Sequence, residues 1–214
     1  TAPDPRTEQT VKEVLLKRVE RCGDKPWIVT PEREYSYRQI DRASNRLGRG
    51  LMSLGIEMGQ TVLIMLPDVI DYIRIWCALA KFGAVEVPVN VHYRGGILTH
   101  IINDSRADTM IVDRQYLDRI ELVADELEGL KRLILYSEDA DGSEPGLPEA
   151  LTGRFEALRF EDIASELDAA IPGGPAYNDL IGIMYTSGTT GPSKGVMVTH
   201  AHAFEYAATP FELL

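Results

Sequence analysis

From Thr61 to Tyr136, short apolar runs alternate with helical patterns at a spacing that leaves few architectures open. Thr61 to Leu66, Ala84 to Val89, Thr109 to Val112 and Arg132 to Tyr136 have the length of strands and are rich in valine, leucine and isoleucine. Between them, Val69 to Phe82 follows a Pro67-Asp68 turn and ends at Gly83, and Gly95 to Asn103 and Gln115 to Leu127 carry further helical patterns. Alternation of this kind implies an α/β fold in which a parallel sheet is layered with helices. From their valine, leucine and isoleucine content, Val62 to Leu66 and Ala84 to Val87 are expected to be neighbouring buried strands.

The segments on either side are less regular. Thr10 to Cys22 sets Val11, Val14, Leu15, Val19 and Cys22 at helical spacing and stops at Gly23. Trp27 to Val29 and Glu34 to Ser36 read as a hairpin, and Ser36 with Gln39 is a candidate capping box opening a helix that Gly55 ends. Ser137 to Gly153 is acidic and rich in glycine and proline, which predicts a solvated loop, and Phe160 to Leu167 predicts a short helix. Ala170 to Tyr177, with Pro172-Gly173-Gly174-Pro175, admits neither helix nor central strand. A division at that linker is expected, with residues 1–176 as an N-terminal α/β subdomain and 177–214 as the start of a second.

Bulk properties exclude several functions. A formal charge of −11 over 214 residues argues against general affinity for nucleic acid or an anionic membrane, so an anionic ligand has to be held by a local site. No apolar run approaches the ~20 residues needed to span a bilayer. The two cysteines, Cys22 and Cys77, lie far apart, and His92, His100 and His202 have no acidic or cysteine partners at metal-ligand spacing, so no metal site is assigned. A reduced, cytoplasmic protein is the simplest expectation. Ile73, Trp76, Cys77 and Ala80 form a helical stripe that reads as core.

The stretch with chemical character is Asp179 to His200. An apolar strand, Leu180 to Tyr185, stops at Thr186-Ser187-Gly188-Thr189-Thr190-Gly191-Pro192-Ser193-Lys194, and a second short strand follows from Gly195 to Thr199. Hydroxyls from Thr186, Ser187, Thr189 and Thr190, glycines that let backbone N–H groups approach a ligand, and the single cation of Lys194 suit phosphate oxygens. A Walker loop would need Gly at Ser193 and Ser or Thr at Gly195. A polar hairpin connection without a ligand accounts for the same residues, and Gly188 and Gly191 serve either as turn residues or as points of close phosphate approach. His200, with Thr199, reads as a helix cap.

Tyr185 to Gly191 with Lys194-Gly195 resembles the signature loop of the adenylate-forming (AMP-binding) enzymes, a family that includes acyl- and aryl-CoA synthetases. The commoner order ends Pro-Lys-Gly, whereas here Pro192 precedes Ser193. Three other segments are similar to the same family in order along the chain. These are Glu34 to Ile40 (with Gln39 where an acid is usual), Leu79 to Asn90 in the form typical of CoA ligases, and Gly95 to Asp113.

The resemblance implies an enzyme that uses ATP with Mg²⁺ to convert a small carboxylic acid to an acyl-AMP and passes the acyl group to coenzyme A. Thr186, Ser187, Gly188, Thr189, Thr190, Gly191 and Lys194 would bind the nucleotide, with Lys194 drawn to its β- and γ-phosphates. It also implies a longer polypeptide, of which these residues are the N-terminal portion, inactive without the C-terminal part and prone to homo-oligomerise through apolar faces around Ile181 to Met184 and Phe204 to Leu214. A nucleotide-binding or partner-docking module without catalysis is the alternative.

Overall fold

The computed structural model describes residues 9–67, 70–137, 146–186 and 192–212. Helix α1 (Val11–Cys22) starts at Thr10, whose side chain accepts from the Glu13 N–H. Strands β1 (Pro26–Val29) and β2 (Glu34–Ser36) pair antiparallel as the expected hairpin. At its end Ser36 Oγ accepts from Gln39 N at 3.2 Å while Gln39 Oε1 accepts from Ser36 N at 2.9 Å. That reciprocal box satisfies two amides that the first helical turn cannot, and α2 (Tyr37–Ser53) runs on from it, burying Ile40, Leu47 and Leu51.

Among the described residues the sheet that follows has seven strands. β3 (Thr61–Met65), β4 (Val85–Pro88), β5 (Thr109–Asp113), β6 (Arg132–Tyr136), β7 (Glu156–Arg159), β8 (Leu180–Thr186) and β9 (Lys194–Thr199) lie in the order β7-β6-β5-β3-β4-β8-β9. Every neighbouring pair is parallel except β8 with β9. β3 and β4 are direct neighbours, with Val62 opposite Glu86 and Leu63 opposite Val87. The two-residue period of a strand sends alternate side chains to two apolar layers. Leu63, Met65, Val87, Met110 and Val112 meet Leu98, Ile101 and Ile102 of α4 (Gly95–Asp104) and Leu117 and Ile120 of α5 (Leu117–Glu121). Val62, Ile64, Ile111 and Ile134 meet Leu47 and Leu51 of α2 and Ile75 and Leu79 of α3 (Ile70–Phe82). A mainly parallel sheet with helices packed on both faces is thus the observed architecture.

Several local expectations need correction. Gln115 to Leu127 is not one helix: only Leu117–Glu121 is α-helical, flanked by 3₁₀ turns at Arg114–Tyr116 and Ala124–Glu126. Its apolar residues Leu117, Ile120 and Val123 recur every third position, a period that tighter turns serve as well as an α-helix, and all three are buried. Phe160 to Leu167 forms a single 3₁₀ turn, Phe160–Asp162. The strand β7 just before it was unanticipated. Of Ser137 to Gly153, residues 138–145 lie outside the described residues, and Leu151 is fully buried in the core, so the remainder is not wholly solvated. The linker from Ala170 to Tyr177 is strapped to α1, with Lys12 Nζ donating to the carbonyls of Ile171 and Gly173. Beyond the linker, β8 joins the same sheet beside β4. The last helix, α6 (His200–Glu212), follows β9 directly.

Candidate functional site: the β8–β9 hairpin

β8 and β9 form an antiparallel ribbon in which Met184 faces Val196, Tyr185 faces Gly195 and Thr186 faces Lys194. Thr186 and Lys194 therefore stand together at the mouth of the connection, and both are exposed. Lys194 makes no ion pair with any described residue. Ser187, Gly188, Thr189, Thr190 and Gly191, the other residues expected to bind a nucleotide, lie outside the described residues.

The ribbon is built for a close fit. A Cβ at Gly195 would come within 2.6 Å of Ile183 Cγ2 and 3.3 Å of Tyr185 Cζ, so this glycine lets β9 pack against its partner's side chains. Ile183 and Tyr185 face the apolar layer that contains α4, which sends Met184 and Thr186 to the other face. Tyr185 Oη donates to Asp104 Oδ2 at 2.6 Å, and His100 Nε2 lies 2.7 Å from the Ser193 carbonyl oxygen. The His100 ring also meets the Tyr185 ring edge-on, with centroids 6.3 Å apart. Burial, then the hydrogen bond to Asp104 and its charge, push the Tyr185 phenol upward. Sequence reasoning set His100 aside for want of a metal partner and did not single out Asp104. Their link to the ribbon crosses 81 to 93 residues of chain, and no local pattern announces it.

Two buried ionisable groups lie close by. His200 is wholly buried at the start of α6, where its Nδ1 accepts from the Val11 N–H at 3.3 Å and its Nε2 has no partner among the described residues. Burial pushes its imidazole down to about 4, against an opposing pull from Asp179. The cap at this end is Thr199, whose Oγ1 accepts from His202 N at 3.2 Å. Glu86, opposite Gly182 in the sheet, is likewise buried with Oε2 unpaired among the described residues, and burial pushes its carboxyl up to about 8. On the stripe expected to be core, Cys77 and Ala80 are buried, but Trp76 lines an apolar cavity of about 250 Å³ with Trp27, Tyr37, His200 and Phe204.

The family model for the AMP-binding enzyme matches residues 15–211, which takes in the scaffold and the hairpin together. The chain belongs to the AMP-binding enzyme family. Among its relatives, phosphinothricin tripeptide synthetase PhsC of Streptomyces viridochromogenes is 31% identical, over 98% of this chain and 18% of that protein. The 3-hydroxybenzoate–CoA/4-hydroxybenzoate–CoA ligase of Thauera aromatica is 28% identical, over 84% of this chain and 32% of that protein. A solved long-chain-fatty-acid–CoA ligase from Archaeoglobus fulgidus superposes with a TM-score of 0.71 at 25% identity, over 95% of this chain and 38% of that one. The anthranilate CoA ligase AuaEII, solved with anthranoyl-AMP, shares the fold with a TM-score of 0.74 at 24% identity, over 94% of this chain and 36% of that one. The chain therefore spans less than half the length of each of these AMP-binding relatives. Among the described residues, no helix is long and apolar enough to cross a membrane.

Proposed function

We propose that this chain supplies the triphosphate-handling part of an ATP-dependent carboxylic acid:CoA ligase. The single observation that carries it is the pairing of Thr186 with Lys194 at the open end of the ribbon, one hydroxyl and one ammonium opposite each other and exposed. That donor set fits the pyrophosphate portion of ATP. Ser187, Gly188, Thr189, Thr190 and Gly191 complete it by composition. Among the described residues, no three His, Cys, Asp or Glu side chains cluster as metal ligands, so Mg²⁺ enters as the companion of the triphosphate.

A carboxylate is a poor acyl donor because its leaving group would be oxide. In the proposed reaction the substrate carboxylate oxygen attacks the α-phosphorus of ATP, the bond from that phosphorus to the bridging oxygen breaks, and pyrophosphate departs. A thiol, proposed to be that of coenzyme A, then displaces AMP from the acyl-AMP. Catalysis of the first step is largely positioning and charge stabilisation. Lys194 would stabilise charge accumulating on the departing pyrophosphate, and Thr186 would orient it. Residues 1–176 act as scaffold in this scheme and 177–214 open the lobe that meets ATP, with the acid pocket and further catalytic groups contributed by a C-terminal part. By itself the chain is proposed to lack turnover. The free thiols of Cys22 and Cys77 suit a cytoplasmic setting.

Exchange of labelled pyrophosphate into ATP, measured on the intact protein with a panel of acyl, aryl and amino acids, tests the assignment. Exchange that depends on an acyl or aryl acid supports it. Nucleotide binding without exchange for any acid would favour a non-catalytic nucleotide-binding module instead.

A further inference from the structure

We propose that His100 and Asp104 are positioning residues for Thr186 and Lys194, so that one face of α4 sets the geometry of the site described above; this rests on the phosphate-handling role proposed for the ribbon. The two residues are four apart on α4 and so lie on one side of that helix. Each holds the residue that immediately precedes one member of the Thr186–Lys194 pair. Asp104 takes the Tyr185 hydroxyl at 2.6 Å, one residue before Thr186. His100 Nε2 lies 2.7 Å from the Ser193 carbonyl oxygen, one residue before Lys194. A carbonyl only accepts, so the imidazole is the donor and Nε2 carries the hydrogen.

The arrangement answers a mechanical need. Among the described residues β9 is the outermost strand of the sheet, with a hydrogen-bonding neighbour on one side, and Thr186–Lys194 is the last pair of its ribbon with β8. A terminal pair on an edge strand frays unless something else holds it. With the Tyr185 ring fixed against α4, strand alternation keeps Thr186 on the opposite face. With the Ser193 carbonyl fixed, the direction in which the chain enters Lys194 is fixed too. Ser193 is buried at this contact although the residues on either side of it are exposed. The two anchors therefore brace both strands of the mouth from beneath and leave its upper face to a ligand.

The test separates hydrogen bonding from bulk packing. His100→Phe keeps a ring edge against Tyr185 but removes the donor to Ser193, whereas His100→Gln keeps a donor and removes the ring. Asp104→Leu and Tyr185→Phe break the second anchor, whereas Asp104→Asn keeps an acceptor for the phenol. In the intact protein, His100→Phe, Asp104→Leu and Tyr185→Phe are expected to lower kcat/KM for MgATP in acid-dependent pyrophosphate exchange about tenfold, since ångström-scale misplacement has effects of this order or larger. His100→Gln and Asp104→Asn should recover most of the loss, and thiol transfer from supplied acyl-AMP should not change. If the anchor-breaking variants match the parent while Lys194→Ala is impaired, the phosphate role stands and the positioning role is overturned. Equal loss of both half-reactions in Tyr185→Phe, the mildest change, would mark a general structural defect and also overturn it. Parental exchange in Lys194→Ala together with Thr189→Ala and Thr190→Ala would remove the phosphate role itself, and the positioning role with it.

Discussion

Lys81 of α3 donates to the Asp41 carboxylate of α2 at 2.7 Å, and the same ammonium reaches Asp41 O, Ser44 Oγ and Asn45 Oδ1 at 2.7 to 2.8 Å. The lysine is 1% exposed, and burial lowers its pKa while the Asp41 hydrogen bond and charge oppose the shift. Removing one member of a buried pair leaves the other uncompensated, so Asp41→Ala should cost about 3–5 kcal/mol of unfolding free energy. Combining it with Lys81→Met should recover a large part, because a buried cation is then no longer stranded. Urea unfolding of the parent and the two variants checks this; an Asp41→Ala cost within about 0.5 kcal/mol would show that the network does not hold α2 to α3.

Glu86 and His200 give the stability a specific pH dependence. Folded Glu86 keeps its proton up to about 8, whereas in the unfolded chain it releases it near 4.5, so its contribution is lost as pH rises across that interval. Folded His200 stays neutral down to about 4 but is protonated below 6.5 when unfolded, so its contribution is lost as pH falls from 6.5 to 4. Each slope is roughly 1.4 kcal/mol per pH unit. The two oppose one another between 4.5 and 6.5, and only that of Glu86 acts from 6.5 to 8. Unfolding free energy measured against pH should therefore flatten above 6.5 in Glu86→Gln and fall more steeply below it. A variant profile parallel to the parent's would contradict the burial of an ionisable Glu86.

Gly50 sits where α2 passes the Ile163 backbone. A Cβ there would lie 1.8 Å from the Ile163 carbonyl oxygen. Alanine within a helix is ordinarily favoured over glycine by about 1 kcal/mol, yet Gly50→Ala should destabilise by about 1–3 kcal/mol because backbone has to move. Gly96→Ala, with nothing within 4 Å of the added carbon, should be neutral or gain up to about 1 kcal/mol. Thermal or urea unfolding of the pair decides the matter, and a stabilised Gly50→Ala would refute the close approach.

The features readable in the sequence are those with local causes. The Ser36–Gln39 box, the parallel β3–β4 neighbours and the strands on either side of the 187–193 connection each follow from residues near one another in the chain. β7 could not be read that way, since Glu156-Ala157-Leu158-Arg159 contains no β-branched residue and is a strand because β6 offers it an edge. Glu86 stands between two valines, and in a sheet covered on both faces that position is interior. Thr186 and Lys194 stand out as candidates by residue type and spacing. Their supports, His100 and Asp104, depend on packing between distant segments.

Within the described hairpin the most exposed apolar residues lie on β9 rather than β8, and Tyr206 on α6 is exposed as well. Ile181 is buried, whereas Val196 and Met197 are 50% and 65% exposed on the edge strand. An uncovered apolar edge favours association, so sedimentation should detect self-association that Met197→Lys reduces. Monomeric behaviour of the unsubstituted chain at the same concentrations would count against this surface as an interface.

Lys194→Ala tests the phosphate role of the ribbon most directly. Loss of a hydrogen bond to a charged group is worth ~1.5–3 kcal/mol, so acyl-AMP formation by the intact protein should slow roughly ten- to a hundredfold. If the ammonium matters most as pyrophosphate departs, kcat should fall together with kcat/KM for ATP. Thiol transfer from supplied acyl-AMP should be nearly unaffected, because pyrophosphate has already left. A slowing confined to the thiol step, or parental rates in Lys194→Ala together with Thr189→Ala and Thr190→Ala, would instead make the stretch a hairpin connection with no part in handling ATP.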